Sequence, residues 1–303
     1  MSNDSTRCGN AAYATTQISA DDPLRTRIAE AVRSVRNTTP LAQSFTNFVT
    51  INLVANAQLA SGGTAAMSFL PDDIVDTAQI AGATYINVGT LLPFYKDALP
   101  DIAERLAHLG KPWVLDPVAA GIGTTRTAIL QSFRDYPPTI VRGNASEIIA
   151  LADMWGLNDN VGDAYPSSRP AGVESVDDVD SATGAALRLA RHLGRHTGKA
   201  AVAVSGEVDL VTDGEHVYRL PGGSAMMTKI TGAGCSLGGV TATYLAVADP
   251  LTASIAASSL FNRAGEIAEG SSHGPGSFQV EFLDALWNVT DEQIAASPIL
   301  VTR

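Results

Sequence analysis

Between residues 83 and 204 the chain alternates short apolar runs with longer stretches at helical spacing, and nothing else in it limits the fold so strongly. Ala83–Val88, Pro112–Leu115, Thr139–Val141 and Ala200–Val204 read as strands, and Phe94–Leu109, Thr125–Arg134, Ala145–Trp155 and Ser181–His196 as the helices between them. Parallel neighbours need a long crossover, and a strand covered on both faces loses its polar alternation. The pattern therefore predicts an α/β fold, a three-layer sandwich with a mainly parallel central sheet and helices on both faces. Val208–Thr212 and His216–Leu220 flank Asp213-Gly214, a hairpin signal that adds an antiparallel edge.

Upstream, Asp22-Pro23 supplies an N-cap with proline at the first helical position, and Leu24, Ile28, Ala31, Val32 and Val35 recur on one face of a helix over Pro23–Arg36. Gln43–Val49 reads as irregular, Thr50–Ala60 as a helix stopped by Gly62-Gly63, Ala65–Phe69 as a brief buried strand, and Pro71–Ile80 as a helix. Further helices are expected near 234–247, 251–269 and 278–286. Residues 1–20 lack the apolar centre of a signal peptide and read as a flexible N-terminal arm ahead of one domain over 21–303. Segment 157–180, rich in Gly, Pro, Asp and Ser, reads as a long surface excursion.

The 303 residues carry a net charge of −11, which argues against an electrostatic grip on nucleic acid or an anionic membrane. Any phosphate must then be held by local features. No apolar run approaches the roughly 18 residues of a membrane span. Cys8 and Cys235 form no disulfide framework, and a reducing, cytoplasmic setting fits.

Ligands of open α/β sheets sit beyond the carboxyl ends of the strands. Asp116 follows Val114-Leu115 there, Arg142-Gly143-Asn144 follows Ile140-Val141, and Ser205-Gly206-Glu207 closes the next strand. Asn144 and Glu147, at i and i+3, fit either an oxygen site for Mg²⁺ or a capping box. Arg142 fits a phosphate clamp or an ion pair, Ser205 a nucleotide contact or a plain turn, and Lys229 a phosphate counter-charge or a solvated surface group. Thr231-Gly232-Ala233-Gly234-Cys235 precedes a run of small, uncharged residues. A helix opening there leaves its first N–H groups facing the turn, a ready place for phosphate with a thiol one step inside. A tight turn before a buried helix gives the same letters. Met67, ending an Ala-Ala-Met run, reads on pattern as a core methionine, with a pocket wall as the other reading. No Walker A loop occurs.

Taken together, Leu59-Ala60-Ser61-Gly62-Gly63 to Met67, Asn87-Val88-Gly89-Thr90-Leu91, Leu115-Asp116-Pro117-Val118, Ile140 to Glu147, Ser205-Gly206-Glu207-Val208-Asp209, Thr228 to Cys235 and Gly274-Pro275-Gly276-Ser277-Phe278 resemble a hydroxyethylthiazole kinase over residues 24–290. The resemblance implies a ribokinase-like fold and transfer of the ATP γ-phosphoryl group to the hydroxyl of 4-methyl-5-(2-hydroxyethyl)thiazole, with Mg²⁺, in thiamine biosynthesis and salvage. It implies that Cys235 stands where related kinases place an aspartate, with Gly232, Ala233 and Gly234 beside it at the reacting phosphoryl group. Arg142, Ser205 and Asn144 match nucleotide contacts; Met67, Gly232, Asn47 and Val49 match substrate contacts; Glu147, Asn144 and Asp116 match the Mg²⁺ region, partly through water. A homotrimer with sites between subunits is implied as well. Gln43 and Phe48 depart from the usual His and Asn, and Gly63-Thr64-Ala65 from Ala-Ser-Pro. The rival readings are a ribokinase-like kinase of another small alcohol, of hydroxymethylpyrimidine or pyridoxal type, and a non-catalytic thiazole- or nucleotide-binding regulator.

Overall fold

The structure, a computed structural model, describes residues 15–157 and 179–302. Ten strands form one sheet: β1 (Thr16–Gln17), β2 (Leu41–Phe45), β3 (Thr64–Met67), β4 (Ala83–Asn87), β5 (Trp113–Asp116), β6 (Ile140–Asn144), β7 (Ala201–Ser205), β8 (Val208–Thr212), β9 (Val217–Pro221) and β10 (Leu300–Thr302), in the spatial order β1-β10-β9-β8-β7-β6-β5-β4-β2-β3. From β3 to β7 every pairing is parallel, and from β7 outward to β1 every pairing is antiparallel. The expected hairpin is β8–β9. It is not the last element of its side, because β10 and then β1 extend the sheet beyond it. Those two short strands carry no alternation that a sequence pattern would catch.

The helices are α1 (Pro23–Thr38), α2 (Ile51–Ala60), α3 (Pro71–Ile80), α4 (Tyr95–His108), α5 (Thr124–Ser132), α6 (Ala145–Met154), α7 (Thr183–Thr197), α8 (Ala233–Leu245), α9 (Pro250–Ser271), α10 (Pro275–Asn288) and α11 (Asp291–Ala295). Successive residues of a strand point to opposite faces. Tyr85, Val114 and Ile140 therefore join the core beneath α1, α2, α8, α9 and α10, while Ile86, Leu115 and Val141 join the core beneath α3 to α7. The expected apolar stripe of α1 is buried, and the Asp22 side chain accepts the Leu24 N–H, a cap worth about 1 kcal/mol.

Two expectations fail locally. Residues 41–45 of the stretch around Gln43 are no irregular segment but the strand β2, inserted between β3 and β4. Its buried polar residues hid it: Ser44 donates to Gln58 Oε1 at 2.9 Å, Gln58 Nε2 donates to the Ala42 carbonyl at 3.2 Å, and Thr84 donates to Gln43 Oε1 at 3.3 Å. Such pairing lets polar letters sit inside without a large penalty. The second is β3, expected buried, which is the sheet's outer strand and only half-covered. In the expected N-terminal arm, residues 1–14 lie outside the described residues, whereas Thr16 and Gln17 pair with β10 and Ile18 is buried in the core. The expected surface excursion falls almost wholly outside the described residues. No described helix is long and apolar enough to cross a membrane.

Candidate active site

Parallel register lines up the carboxyl ends of the strands. Asn87 of β4 stands opposite Asp116 of β5, and Asn144 of β6 opposite Ser205 of β7. Helix α8 descends onto this row. Gly238 permits its approach, since a Cβ there would stand 2.3 Å from the Tyr85 ring. At its start Gly232 takes the left-handed conformation (φ 95°), with Thr50 Cγ2 only 2.8 Å from where a Cβ would be. The first intrahelical bond runs from Ser236 N–H to the Gly232 carbonyl at 2.8 Å, leaving the N–H groups of Ala233, Gly234 and Cys235 ahead of it. Aligned peptide dipoles place about half a positive charge at this end.

Arg142 is tied to that turn. Its Nη1 donates to the Gly234 carbonyl at 2.8 Å and lies 3.6 Å from Asp116 Oδ2, and its Nη2 donates to the Ser205 hydroxyl. Its Nε is buried without a partner, a donor left for an anion. Asp116 Oδ2 also accepts from the Tyr85 hydroxyl at 2.9 Å and from Asn87 Nδ2 at 3.1 Å. Burial raises the Asp116 carboxyl, against the pull of Arg142 and these donors.

Cys235 Sγ lies 3.2 Å from Asn47 Nδ2 and 3.3 Å from Asn87 Nδ2. A helix start by itself would lower its pKa. Instead burial, with the Asp116 charge second, pushes it up to about 11, so the group is a neutral thiol at pH 7. Glu147 and Asn144 form the capping box: Glu147 N–H donates to Asn144 Oδ1 and Asn144 N–H to Glu147 Oε2, each at 2.9 Å. Glu147 Oε1 accepts the Ala119 N–H at 3.0 Å, and this holds the turn after β5, where Ala119 is left-handed (φ 58°). Burial and the nearby Asp116 raise the Glu147 carboxyl to about 7.

The expected residues Asn47, Asp116, Arg142, Ser205, Gly234 and Cys235 thus meet in one bonded cluster, with Gly232 and Ala233 in the same turn, Asn144 on the adjoining strand end and Glu147 in the first turn of α6. Met67 stands apart, half-buried beside Ser44 in register, and Val49 is exposed beyond Asn47. Lys229 is exposed. Tyr85, Asn87 and the buried Asp209, which accepts the Gly206 N–H at 3.0 Å, were missed. Asn87 carried the same signal as Asp116, a polar residue ending an apolar strand.

Among solved structures, a ribokinase-like superfamily protein of Enterococcus faecalis matches with a TM-score of 0.53 at 11% identity, covering 91% of this chain and 92% of that one, a likeness of fold. The fold is therefore ribokinase-like, with a helix start open to an anion beyond the strand ends of its mainly parallel sheet. The structure of the hydroxyethylthiazole kinase protein of Pyrococcus horikoshii matches with a TM-score of 0.78 at 30% identity, covering 91% of this chain and 99% of that one. The model of the hydroxyethylthiazole kinase family matches residues 32–292. Curated hydroxyethylthiazole kinases of Bifidobacterium longum (strain NCC 2705) and Bifidobacterium adolescentis are 74% and 71% identical, across 94% of this chain and 94% and 100% of theirs. The chain belongs to the hydroxyethylthiazole kinase family.

Proposed function

We propose that the protein transfers the γ-phosphoryl group of ATP to the primary hydroxyl of 4-methyl-5-(2-hydroxyethyl)thiazole, giving the thiazole phosphate used to make thiamine. The observation that carries the reading is the joined pair of Arg142 and the α8 start: one cation bonded to the carbonyl of Gly234, with its own Nε unpartnered, beside three N–H groups ahead of the first helical bond. Phosphoryl transfer passes through a loose transition state, so positioning and charge stabilisation do most of the work. The N–H groups of Ala233, Gly234 and Cys235 hold the transferring oxygens, and Arg142 and Ser205 hold the nucleotide phosphates. Cys235, a neutral thiol, sits beside the alcohol as a hydrogen-bonding group rather than a strong base.

Two buried carboxyl groups, Asp116 and Glu147, face the cation Arg142, and each is raised by burial. That surplus of negative charge suits a divalent cation. No described trio of acidic, thiol or imidazole groups forms a closed cage, which accords with Mg²⁺ keeping its waters and phosphate ligands. Asp116 and Glu147, partly through water, and Asn144 would hold it. When bound, it neutralises charge on the β- and γ-phosphates.

The thiazole lies toward Asn47, Val49, Met67 and Gly232. Phe48 and Val49 are exposed beside this end of the site, and a homotrimer in which a neighbouring copy covers them completes it. A cytoplasmic setting goes with a thiol that must stay reduced. A coupled ADP-release assay with hydroxyethylthiazole tests the reading: turnover is expected with ATP and Mg²⁺ and lost on chelation. Preference for a pyrimidine or pyridoxal alcohol overturns the substrate, and absence of any single-turnover transfer overturns the reaction.

A further inference from the structure

Asn87 ends β4 fully buried, and the transfer described above gives it no task. Its carboxamide has one possible orientation. Oδ1 accepts the Gly89 N–H at 2.9 Å, and a backbone N–H only donates, so the oxygen must face Gly89 and the nitrogen the other way. Gly89 is needed for that bond, since a Cβ there would lie 2.9 Å from the same oxygen. Oδ1 also accepts from Asn47 Nδ2 at 3.2 Å.

The nitrogen, which has two hydrogens for three acceptors, lies 2.9 Å from the Tyr85 hydroxyl, 3.1 Å from Asp116 Oδ2 and 3.3 Å from Cys235 Sγ. Tyr85 donates its own hydrogen to Asp116. Gly89, Tyr85 and Asp116 therefore pin the amide from both ends, and one of its edges is left against the sulfur. Asn47 adds a second donor to that sulfur at 3.2 Å, and the Thr50 hydroxyl borders it. A thiol is a weak acceptor that ordinarily turns freely about its Cα–Cβ bond. Here carboxamides from two different elements converge on it, one of them fixed in orientation by its own anchors.

We infer that Asn87 is a positioning residue for the transfer, acting through Cys235: its anchored amide keeps the thiol turned toward the place the alcohol occupies. The inference rests on the reading of Cys235 as the group beside the alcohol. The test is a double-mutant cycle on the full-length enzyme, with ATP, Mg²⁺ and hydroxyethylthiazole, using Asn87→Ala, Cys235→Ala and the pair, each with a thermal melt. Cys235→Ala is expected to lower kcat by about 10–10³-fold. Asn87→Ala is expected to lower kcat by about 10–100-fold with KM for ATP within about 2-fold, and to cost at least about five times less in the Cys235→Ala background.

Equal losses in both backgrounds, or a loss confined to KM, overturn the role of Asn87 and leave Cys235 in place. An unchanged kcat for Cys235→Ala overturns the reading of the thiol itself, and the inference with it. Should Asn87→Ala fail to fold, Asn87→Ser goes through the same cycle. Should neither fold, a crystal structure of the native enzyme with an ATP analogue and the thiazole alcohol decides. Nδ2 beyond about 4 Å from Sγ overturns the proposal, and contact within hydrogen-bonding distance sustains it.

Discussion

The floor of the site and its rim are finished to different degrees by one chain. On the floor Asp116, Arg142 and Glu147 are buried and the half-buried Cys235 thiol lies beside them, each tied to partners on neighbouring strand ends or the turns that follow. At the rim Phe48 is 44% and Val49 74% exposed, at the end of an aromatic chain that runs from Phe48 through Phe69 and Phe45 to Tyr95. The difference follows from the chemistry of each part. Buried charges need partners placed within tenths of an ångström, which one sheet's register supplies. An apolar surface needs only to be covered, and a second copy or a substrate can do that.

The largest effect is expected on the floor. Gly234→Val would place a Cβ 3.1 Å from Arg142 Nη1 and a branched side chain where phosphate oxygens approach. A drop in kcat/KM for ATP of about 10²–10³-fold is expected, the usual cost of losing a preorganised donor. Turnover at the parent rate moves the anion site elsewhere and removes the contrast between floor and rim.

At the rim the expected effect is smaller and of another kind. Val49→Asp puts a charge on the face that a neighbouring copy would cover in the proposed trimer, at an expected cost of about 10–100-fold in KM for the thiazole. KM for ATP should stay within about 2-fold, since charge at the rim does not reach the α8 start through solvent. Light scattering should show the assembly falling toward monomer. An unchanged mass and an unchanged thiazole KM would mean that the rim is finished without a second copy.

The same division explains what could be read from the letters. Strand–helix alternation is a property of backbone burial, so the parallel half of the sheet was legible, and with it Asp116, Arg142 and Ser205 at strand ends. The cap formed by Asn144 and Glu147 was legible too, as one of two readings of the same spacing. Strand β2 was not, because Gln43 Oε1 and Ser44 are paired with Thr84 and Gln58, residues distant in sequence. Nor was the raised thiol of Cys235: a helix start is visible in Gly-Ala-Gly-Cys, but the burial that outweighs it comes from the packing of other elements. Tyr85 was hidden by the apolar run that contains it, while Asn87 carried the strand-end signal of Asp116 and went unread; only register shows which neighbours the two meet.

Asp209 gives the smallest effect and the finest measure of how closed the floor is. It lies on β8, buried, with Oδ1 accepting the Gly206 N–H, with Arg142 the charged group that acts on it and Asn262 beside it from α9. Burial pushes its carboxyl up to about 6, although the Gly206 bond, Arg142 and Asn262 pull it down. An unfolded chain releases that proton near about pH 3.9, so between these values the folded state holds more protons and stability falls as pH rises. Above the folded value the penalty is complete. Asp209→Asn keeps an oxygen for Gly206 and removes the charge. Relative to the parent it should gain on the order of 1–2 kcal/mol, a few degrees in Tm, on going from about pH 4.5 to about pH 7.5. A difference in Tm that stays constant across that interval would mean that water reaches the carboxyl, and that the floor is less closed than the contacts around Arg142 imply.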